Sequence, residues 1–249
     1  MKAMILAAGL GTRLRPLTDD RPKALVGVSG HTLLEITLRR LREFGIHEAI
    51  VNVHHFADMV VDYLKKNDNF GMRIEISRED VLLDTGGGLK KAAWFFLEDP
   101  TQSEQPFILH NVDVISTIDL EGMLQFHRAS QALATLAVQD RETSRYLLFD
   151  EQNQLCGRRA GLNGEPQMAR PARQTQPLGF SGIHAISRRL LPLLTEQGPF
   201  SIVDSYLRLA AQGEKIVGFR ADEYYWRDLG KPENISQAER DVSQHLLHL

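Results

Sequence analysis

Strand-like and helix-like stretches alternate through the first half of this 249-residue chain, and that alternation restricts its fold more than any other feature. Lys2 to Leu6 is an apolar run of strand length, followed by a loop of glycine, arginine and proline. Residues 32–44 place Leu34, Leu38, Leu41 and Phe44 on one helical stripe. Residues 49–53 read as a second strand and 57–66 as a second amphipathic helix. Met72 to Ser77 reads as a third strand, followed by a Gly86-Gly87-Gly88 turn and a helix through Leu97. Residues 107–110 read as a fourth strand, and Asp119 is placed to cap a helix that starts at Leu120. This order predicts a mainly parallel sheet with helices on both faces. Ligands of such sheets bind where the carboxyl ends of the strands meet loops and helix N-termini.

The second half is more mixed. Residues 133–138, 146–149 and 178–186 have strand character. Residues 157–177, with Gly157, Gly161, Gly164, Pro166 and Pro171, read as a loop or flap over the site. Residues 202–211 cluster Ile202, Tyr206, Leu209 and Ala210 on one helical face. Pro232 fits the first turn of a last helix striped by Ile235, Ala238, Val242 and Leu246. No repeat, low-complexity tract or boundary divides the chain, so residues 1–249 are expected to form one domain.

Apolar residues make up 43% of the chain, enough for a sizeable core. A net charge of −3 and a pI near 6.3 leave no basic face for nucleic acid or an anionic membrane. Any phosphate must therefore be held by a local site. No apolar run reaches the roughly 18 residues of a membrane span. Gly9, Gly11, Arg13 and Arg15 cut the N-terminal run too short for a signal peptide. Cys156 is the one cysteine, so no intramolecular disulfide forms, and a reducing, cytoplasmic location is expected.

Four motifs carry chemistry. The first runs Leu6-Ala7-Ala8-Gly9-Leu10-Gly11-Thr12-Arg13-Leu14, continues to Pro16-Leu17-Thr18 and ends at Pro22-Lys23. Glycines let backbone N–H groups approach a polyphosphate, and Arg13 and Lys23 offer charge to neutralise it. Two better-known phosphate motifs are excluded. Leu14 stands where dinucleotide binding wants a third glycine, and no Gly-Lys-Ser/Thr follows for a P-loop. The second motif is Asp84-Thr85-Gly86-Gly87-Gly88-Leu89, either a flexible turn with a helix cap or a backbone platform for a planar base. The third is Asn111-Val112-Asp113-Val114 at a strand end, where an aspartate either starts a turn or serves as a ligand. The fourth is Trp226-Arg227-Asp228-Leu229-Gly230 before the last helix. No His/Cys cluster suggests zinc. His54 and His55, which end a strand near the same edge, suit structural or base-edge roles better than catalysis.

Taken whole, the first string resembles the signature of the sugar-nucleotide pyrophosphorylase family, G-x-G-x-R-(L/M)-x-P-L-T followed by P-K. The Thr-Gly-Gly-Gly turn, Phe180-Ser181-Gly182-Ile183 and the Trp-x-Asp-x-Gly ending are most similar to a short bacterial branch. That branch includes N-acetylmuramate-1-phosphate uridylyltransferase and mannose-1-phosphate guanylyltransferase-like proteins. The resemblance implies an α/β, Rossmann-like fold with a mixed, mainly parallel sheet, the nucleotide-diphospho-sugar transferase fold, without the C-terminal β-helix of longer relatives. It implies transfer of NMP from an NTP to a sugar 1-phosphate, with pyrophosphate leaving and Mg²⁺ as cofactor. By that resemblance Asp113 and Asp228 hold the metal, Arg13 grips the departing pyrophosphate, and Lys23 neutralises phosphate charge. Ala7, Ala8, Gly9, Gly11 and Thr12 cradle the triphosphate, while Thr85, Gly86, Gly87 and Gly88 flank the base. Asn111, Arg170, Gly179 and Ser181 fall to the sugar phosphate.

Two departures stand out. Val112 replaces the glycine of the family's N-G-D, and Ala169-Arg170-Pro171 stands for its E-K-P. Arg170 keeps the charge of that lysine but not its geometry. Three alternatives stay open: a metal-dependent glycosyltransferase of the related fold, a cytidylyltransferase with a non-sugar phosphate acceptor, and a non-catalytic sugar-nucleotide sensor. Neither base, sugar nor oligomeric state is read from the residues.

Overall fold

The computed structural model describes residues 1–99, 101 and 105–247. In chain order its elements are β1 (Lys2–Leu6), β2 (Gly27–Val28), β3 (His31–Thr32), α1 (Leu33–Glu43), β4 (Glu48–Val53), α2 (Ala57–Lys66) and β5 (Arg73–Arg78). There follow α3 (Asp84–Lys91), α4 (Ala93–Leu97), β6 (Phe107–Asn111), β7 (Val114–Ser116), α5 (Leu120–Ser130), β8 (Ala134–Gln139) and β9 (Arg145–Phe149). The chain then forms β10 (Leu155–Ala160), β11 (Gln167–Met168), β12 (Gln176–Ile186), α6 (Ile202–Ala211), β13 (Ile216–Arg220), β14 (Trp226–Asp228) and α7 (Pro232–Ser243).

The expected parallel sheet is the core of a larger mixed one. Strands β5, β4, β1 and β6 run parallel, in that order. Antiparallel β12 continues the sheet from β6. The other end of β12 pairs with β9, which leads on to β10 and β11. On its second edge β12 pairs with β8, and β8 with parallel β13.

Alternation along the central strands sorts the helices onto two faces. Ala3 and Ile5 of β1 face one core with α1, α2, α5 and α7. Met4 faces the other, against α3, α4 and α6. Helix α1 starts where Thr32 accepts a hydrogen bond from Glu35 N–H at 3.1 Å, and its stripe Leu34, Leu38 and Leu41 is fully buried. Asp119 caps α5 by accepting from Glu121 N–H at 3.0 Å, and Pro232 opens α7, both as expected.

Three expectations are corrected. Residues 157–177 are not one long flap: β10 and β11 form an antiparallel pair inside them. Being a sheet edge, that pair is polar and lacks the apolar alternation of a buried strand. Leu246 is no part of the α7 stripe, because His245 adopts φ 58° and leaves Leu246 exposed. Gly86, Gly87 and Gly88 are not a turn but lie within α3, buried. No helix among the described residues is long and apolar enough to cross a membrane.

The fold buries three imidazoles, His110 on β6, His184 on β12 and His127 on α5. Burial holds His110 and His127 at about 4 and His184 at about 3, below the ordinary value near 6.5. The unfolded chain binds these protons first as pH falls, so stability is full above about 6.5 and declines toward pH 4. The expected slope is up to about 1.4 kcal/mol per pH unit for each histidine. Urea unfolding at pH 7, 6 and 5 checks it; a midpoint independent of pH would contradict it.

Candidate active site

Three strands end at one level. In the register of β4, β1 and β6, Leu6 lies beside both Asn52 and Asn111, so their following loops open along one edge. The loop after β1 turns at Gly11, whose φ of 68° is left-handed. A Cβ there would lie 2.9 Å from Thr18 Cγ2 and 3.2 Å from Lys23 Cβ, so shape and space both demand glycine. Thr18 donates its hydroxyl to the Gly11 carbonyl at 2.9 Å, and Leu14 anchors the loop in the core. Ala7 N–H is taken by Asn52 Oδ1 at 2.7 Å. Among the described residues, no N–H from Ala8 to Arg13 donates a hydrogen bond to the protein. Gly9 and Thr12 are exposed on this loop.

The two aspartates meet at the same edge. β6 turns through Val112 and Asp113 into β7, and antiparallel β14 sets Asp228 opposite Val114. Leu229 N–H donates to the Asp113 carbonyl at 2.7 Å, which makes the two motifs neighbours. Lys23 Nζ donates to Asp113 Oδ2 in an ion pair whose side chains are each 13% exposed. Asp228 Oδ1 accepts from Gly230 N–H at 2.7 Å. A Cβ on Gly230 would stand 2.5 Å from Arg13 Nη2 and 2.7 Å from Asp228 Oδ1. The guanidinium of Arg13 and the carboxylate of Asp228 therefore converge on this glycine, and a side chain there would displace them. Arg13, Lys23, Asp113 and Asp228 thus come together as the sequence predicts. Among the described residues no group of three or more His, Cys, Asp or Glu could hold a metal. Two aspartates match Mg²⁺, a hard ion that takes one or two carboxylates and completes its shell with phosphate oxygens and water.

The acceptor-side residues divide. Asn111 ends β6, and its amide packs over Gly182: a Cβ there would lie 2.8 Å from Asn111 Nδ2, and φ is 74°. Ser181 is fully buried, and its carbonyl accepts from Trp226 Nε1 at 2.7 Å. Gly179 faces Arg141, whose Cγ and Cζ lie 3.0 Å from a Cβ position there. Arg170 is not brought to the site. It donates to the Asp150 carboxylate at 2.5 Å and to the Leu155 and Gln154 carbonyls at 3.0 and 3.2 Å. Asp150 follows Phe149, the partner of Gln176, six residues along β12 from Gly182, or about 20 Å of strand.

The three glycines of α3 serve close packing. A Cβ on Gly86 would overlap the Phe200 ring, and Phe200 O accepts from Gly86 N–H at 2.9 Å. On Gly87 it would meet Gly198 O at 2.9 Å. Thr85 Oγ1 accepts from Ile202 N–H at 3.0 Å, tying α3 to α6. A Cβ on Gly88 would lie 2.8 Å from both Asn52 Nδ2 and Glu79 Oε1.

That last contact exposes residues the sequence reading passed over. Asn52 Nδ2 donates to Glu79 Oε1 at 2.7 Å, and Glu79 Oε2 accepts from Leu83 N–H at 2.9 Å. One buried amide thus joins the start of the first loop to the approach to α3. His54 Nδ1 meets Glu79 O at 2.8 Å, a structural role, whereas the ring of exposed His55 lies tilted against Phe56, centroids 3.9 Å apart. A polar residue inside the apolar run 49–53 was the available signal for Asn52; nothing marked Glu79 or Arg141. Arg141 stacks its Cζ 3.7 Å from the Trp226 ring centroid and donates to Phe180 O at 2.7 Å. Burial lowers its pKa against the raising influence of Asp228.

Residues 2–154 match the nucleotidyl transferase family profile. The chain belongs to this family. It is 35% identical over 255 residues to N-acetylmuramate alpha-1-phosphate uridylyltransferase of Caulobacter vibrioides, covering 97% of each chain. It is 28% identical over 245 residues to mannose-1-phosphate guanylyltransferase of Mycobacterium tuberculosis, covering 96% of this chain but 64% of that longer protein. Among solved structures, a UDP-glucose pyrophosphorylase complexed with UDP-glucose superposes with a TM-score of 0.76 at 17% identity, covering 98% of each chain. HddC from Yersinia pseudotuberculosis superposes at 0.72 with 23% identity, over 97% of this chain and 99% of that one. These structures share the Rossmann-like fold of this nucleotidyltransferase.

Asn52→Leu in this nucleotidyltransferase strips a partner from the Glu79 carboxylate and leaves Ala7 N–H unpaired. The expected loss is about 3 kcal/mol, a fall in Tm of roughly 6–12 °C for a chain of this size. Scanning calorimetry measures it; an unchanged Tm would show that the amide is not the tie.

Proposed function

We propose that this nucleotidyltransferase transfers a nucleoside monophosphate from an NTP to a sugar 1-phosphate. The observation that carries the reading is the convergence of Arg13, Lys23, Asp113 and Asp228 beside a loop whose backbone N–H groups from Ala8 to Arg13 have no acceptor among the described residues. A phosphate oxygen of the acceptor attacks the α-phosphorus in line. The new P–O bond forms as the bond to the β-phosphate oxygen breaks, and pyrophosphate leaves with that electron pair. The nucleophile is already an anion, so no general base is required, and catalysis consists of positioning and charge neutralisation.

In this reading the residues 8–13 backbone and Thr12 cradle the triphosphate, Arg13 grips the leaving pyrophosphate, and Lys23 neutralises phosphate charge. Asp113 and Asp228 would hold Mg²⁺, which when bound offsets charge on the phosphates. Lys23 then exchanges its ion pair with Asp113 for the substrate phosphates. Thr85 and the Gly86–Gly88 stretch of α3 flank the base less directly than a turn would, because the three glycines are buried within the helix and Phe200 packs on Gly86. Asn111, Gly179 and Ser181 border the acceptor.

The full-length similarity to an N-acetylmuramate-1-phosphate uridylyltransferase supports UTP and that sugar phosphate as the first pair to assay. Residues 1–249 act as one domain in this reading, supported by a sheet that takes strands from both halves. A cytoplasmic location suits NTP substrates and a lone, buried Cys156 whose thiol burial pushes up to about 11.

Pyrophosphate release tests the proposal. Asp113→Asn and Asp228→Asn each are expected to lower Mg²⁺-dependent kcat by two orders of magnitude or more, roughly the loss of one charged transition-state contact, with the Tm retained. Arg13→Ala is expected to raise the KM for NTP more than that for the sugar phosphate. Full turnover in the folded double aspartate variant would sink the metal assignment.

A further inference from the structure

The face of the sheet that looks toward Asp228 carries two arginines that form no ion pair among the described residues. Gly179 of β12, Tyr146 of β9 and Arg159 of β10 lie directly opposite one another across three strands. Opposed residues of antiparallel strands share a face. Arg141 fills the space above Gly179 and stacks on Trp226, the first residue of the strand that ends at Asp228. Arg159 lies over Tyr146, its Cζ 5.9 Å from the ring centroid. Tyr146 therefore sits between the two guanidiniums.

Among the described residues Arg40, Arg141, Arg159 and Arg188 have a buried Nε without a hydrogen-bond partner, and Arg141 and Arg159 are the two on this face. Arg141 makes one hydrogen bond, to Phe180 O. The Arg159 guanidinium makes neither hydrogen bond nor ion pair among the described residues. Its sequence neighbour on the opposite face shows the contrast. Arg158 donates to Asp204 at 2.5 Å and to Gln167 at 2.8 Å. Arg170, Arg208, Arg220 and Arg227 are each answered by a carboxylate. Half-burying a guanidinium with no acceptor is costly, and two planar forks on one face suit oxyanions.

We propose that Arg141 and Arg159 bind two separate anionic groups of one acceptor, so that the site selects a sugar 1-phosphate carrying a carboxylate. Arg141, under the influence of Asp228, takes the phosphate. Arg159 stands two strand spacings beyond Gly179, about 10 Å, and takes the carboxylate. A hexose with a phosphate at one end and a carboxylate at the other can bridge that reach. The aromatic rings of Tyr146 and Trp226 hold both cations by cation–π contact, leaving their N–H edges for the ligand. The inference rests on the acceptor class proposed above and adds a charge requirement to it.

The test compares N-acetylmuramate 1-phosphate with N-acetylglucosamine 1-phosphate, which lacks the lactyl ether that carries the carboxylate, in two assays. In pyrophosphate release with UTP, the wild type is expected to favour the acidic acceptor. Arg159→Gln is expected to lower the acidic-to-neutral ratio of kcat/KM about 30-fold, the loss of one charged hydrogen-bonding group. Arg141→Gln is expected to raise the KM for both acceptors with that for UTP unchanged. Equal losses on both acceptors in Arg159→Gln would mean that it grips the phosphate and would overturn the proposal, as would no loss on either. Calorimetric titration of each sugar phosphate without UTP keeps this inference separate from the reaction assignment. The acidic sugar is expected to bind more tightly, and Arg159→Gln to remove the difference. Absence of pyrophosphate release in the wild type counts against the reaction, whereas equal affinities in the titration count against the carboxylate site.

Discussion

The Asn52 side chain is the tie on which the nucleotide edge depends. Its carbonyl holds Ala7 N–H, its amide holds the Glu79 carboxylate, and Glu79 holds Leu83 N–H just before α3. The two bonds of Asn52 are buried, where an unpaired amide or carboxylate is far more costly than in water. The geometry leaves no room for a Cβ at Gly88. Asn52 can make these bonds only because β1 and β4 pair in a register that sets Leu6 beside Asn52. Sheet register, one amide and one glycine therefore fix where the first loop leaves the sheet. Taking Ala7 N–H out of use also defines Ala8 as the start of the run of N–H groups with no acceptor among the described residues.

The second half of the chain completes the site by pairing rather than by loops. Short β14 reaches back to β7 and delivers Asp228 to the turn that carries Asp113. Gly230 then permits Arg13 to approach Asp228, so first and last motifs share a few ångströms of space. Lys23 and Asp113 neutralise each other there. A part-buried pair of this kind is a poor source of stability, because desolvation offsets most of the attraction. It does keep a cation and a carboxylate in place at modest cost until charged ligands arrive. Arg158, Arg170, Arg208, Arg220 and Arg227 are each answered by a carboxylate, whereas Arg13, Arg141 and Arg159 form no ion pair among the described residues and belong to this face.

Much of this was legible in the residues. The apolar periods of residues 2–6, 32–44, 49–53 and 107–110 predict the parallel core because burial on a sheet or helix imposes periods of 2 and 3.6. Glycines and cations at the end of the first strand predict the phosphate loop for a chemical reason, and Asp113 and Asp228 sit where strands end. The Gly86–Gly88 run misleads, since glycine marks a flexible turn and a close helix contact equally well. Only Phe200 and Gly198, distant in sequence, decide between them. Arg170 misleads for a related reason: its charge is visible, but Asp150, which consumes it, becomes its neighbour only through the β9–β10 pairing.

By itself, then, the sequence determined the parallel core, the first loop and the two aspartates, because local periodicity and residue chemistry suffice for each. The tertiary structure alone decided which charges are free. Whether an arginine, an amide or a glycine serves the fold or a ligand depends on what distant segments place against it, and no local pattern encodes that. Asn52, Arg141 and Arg159 acquired their significance, and Arg170 lost its own, from contacts made across the sheet.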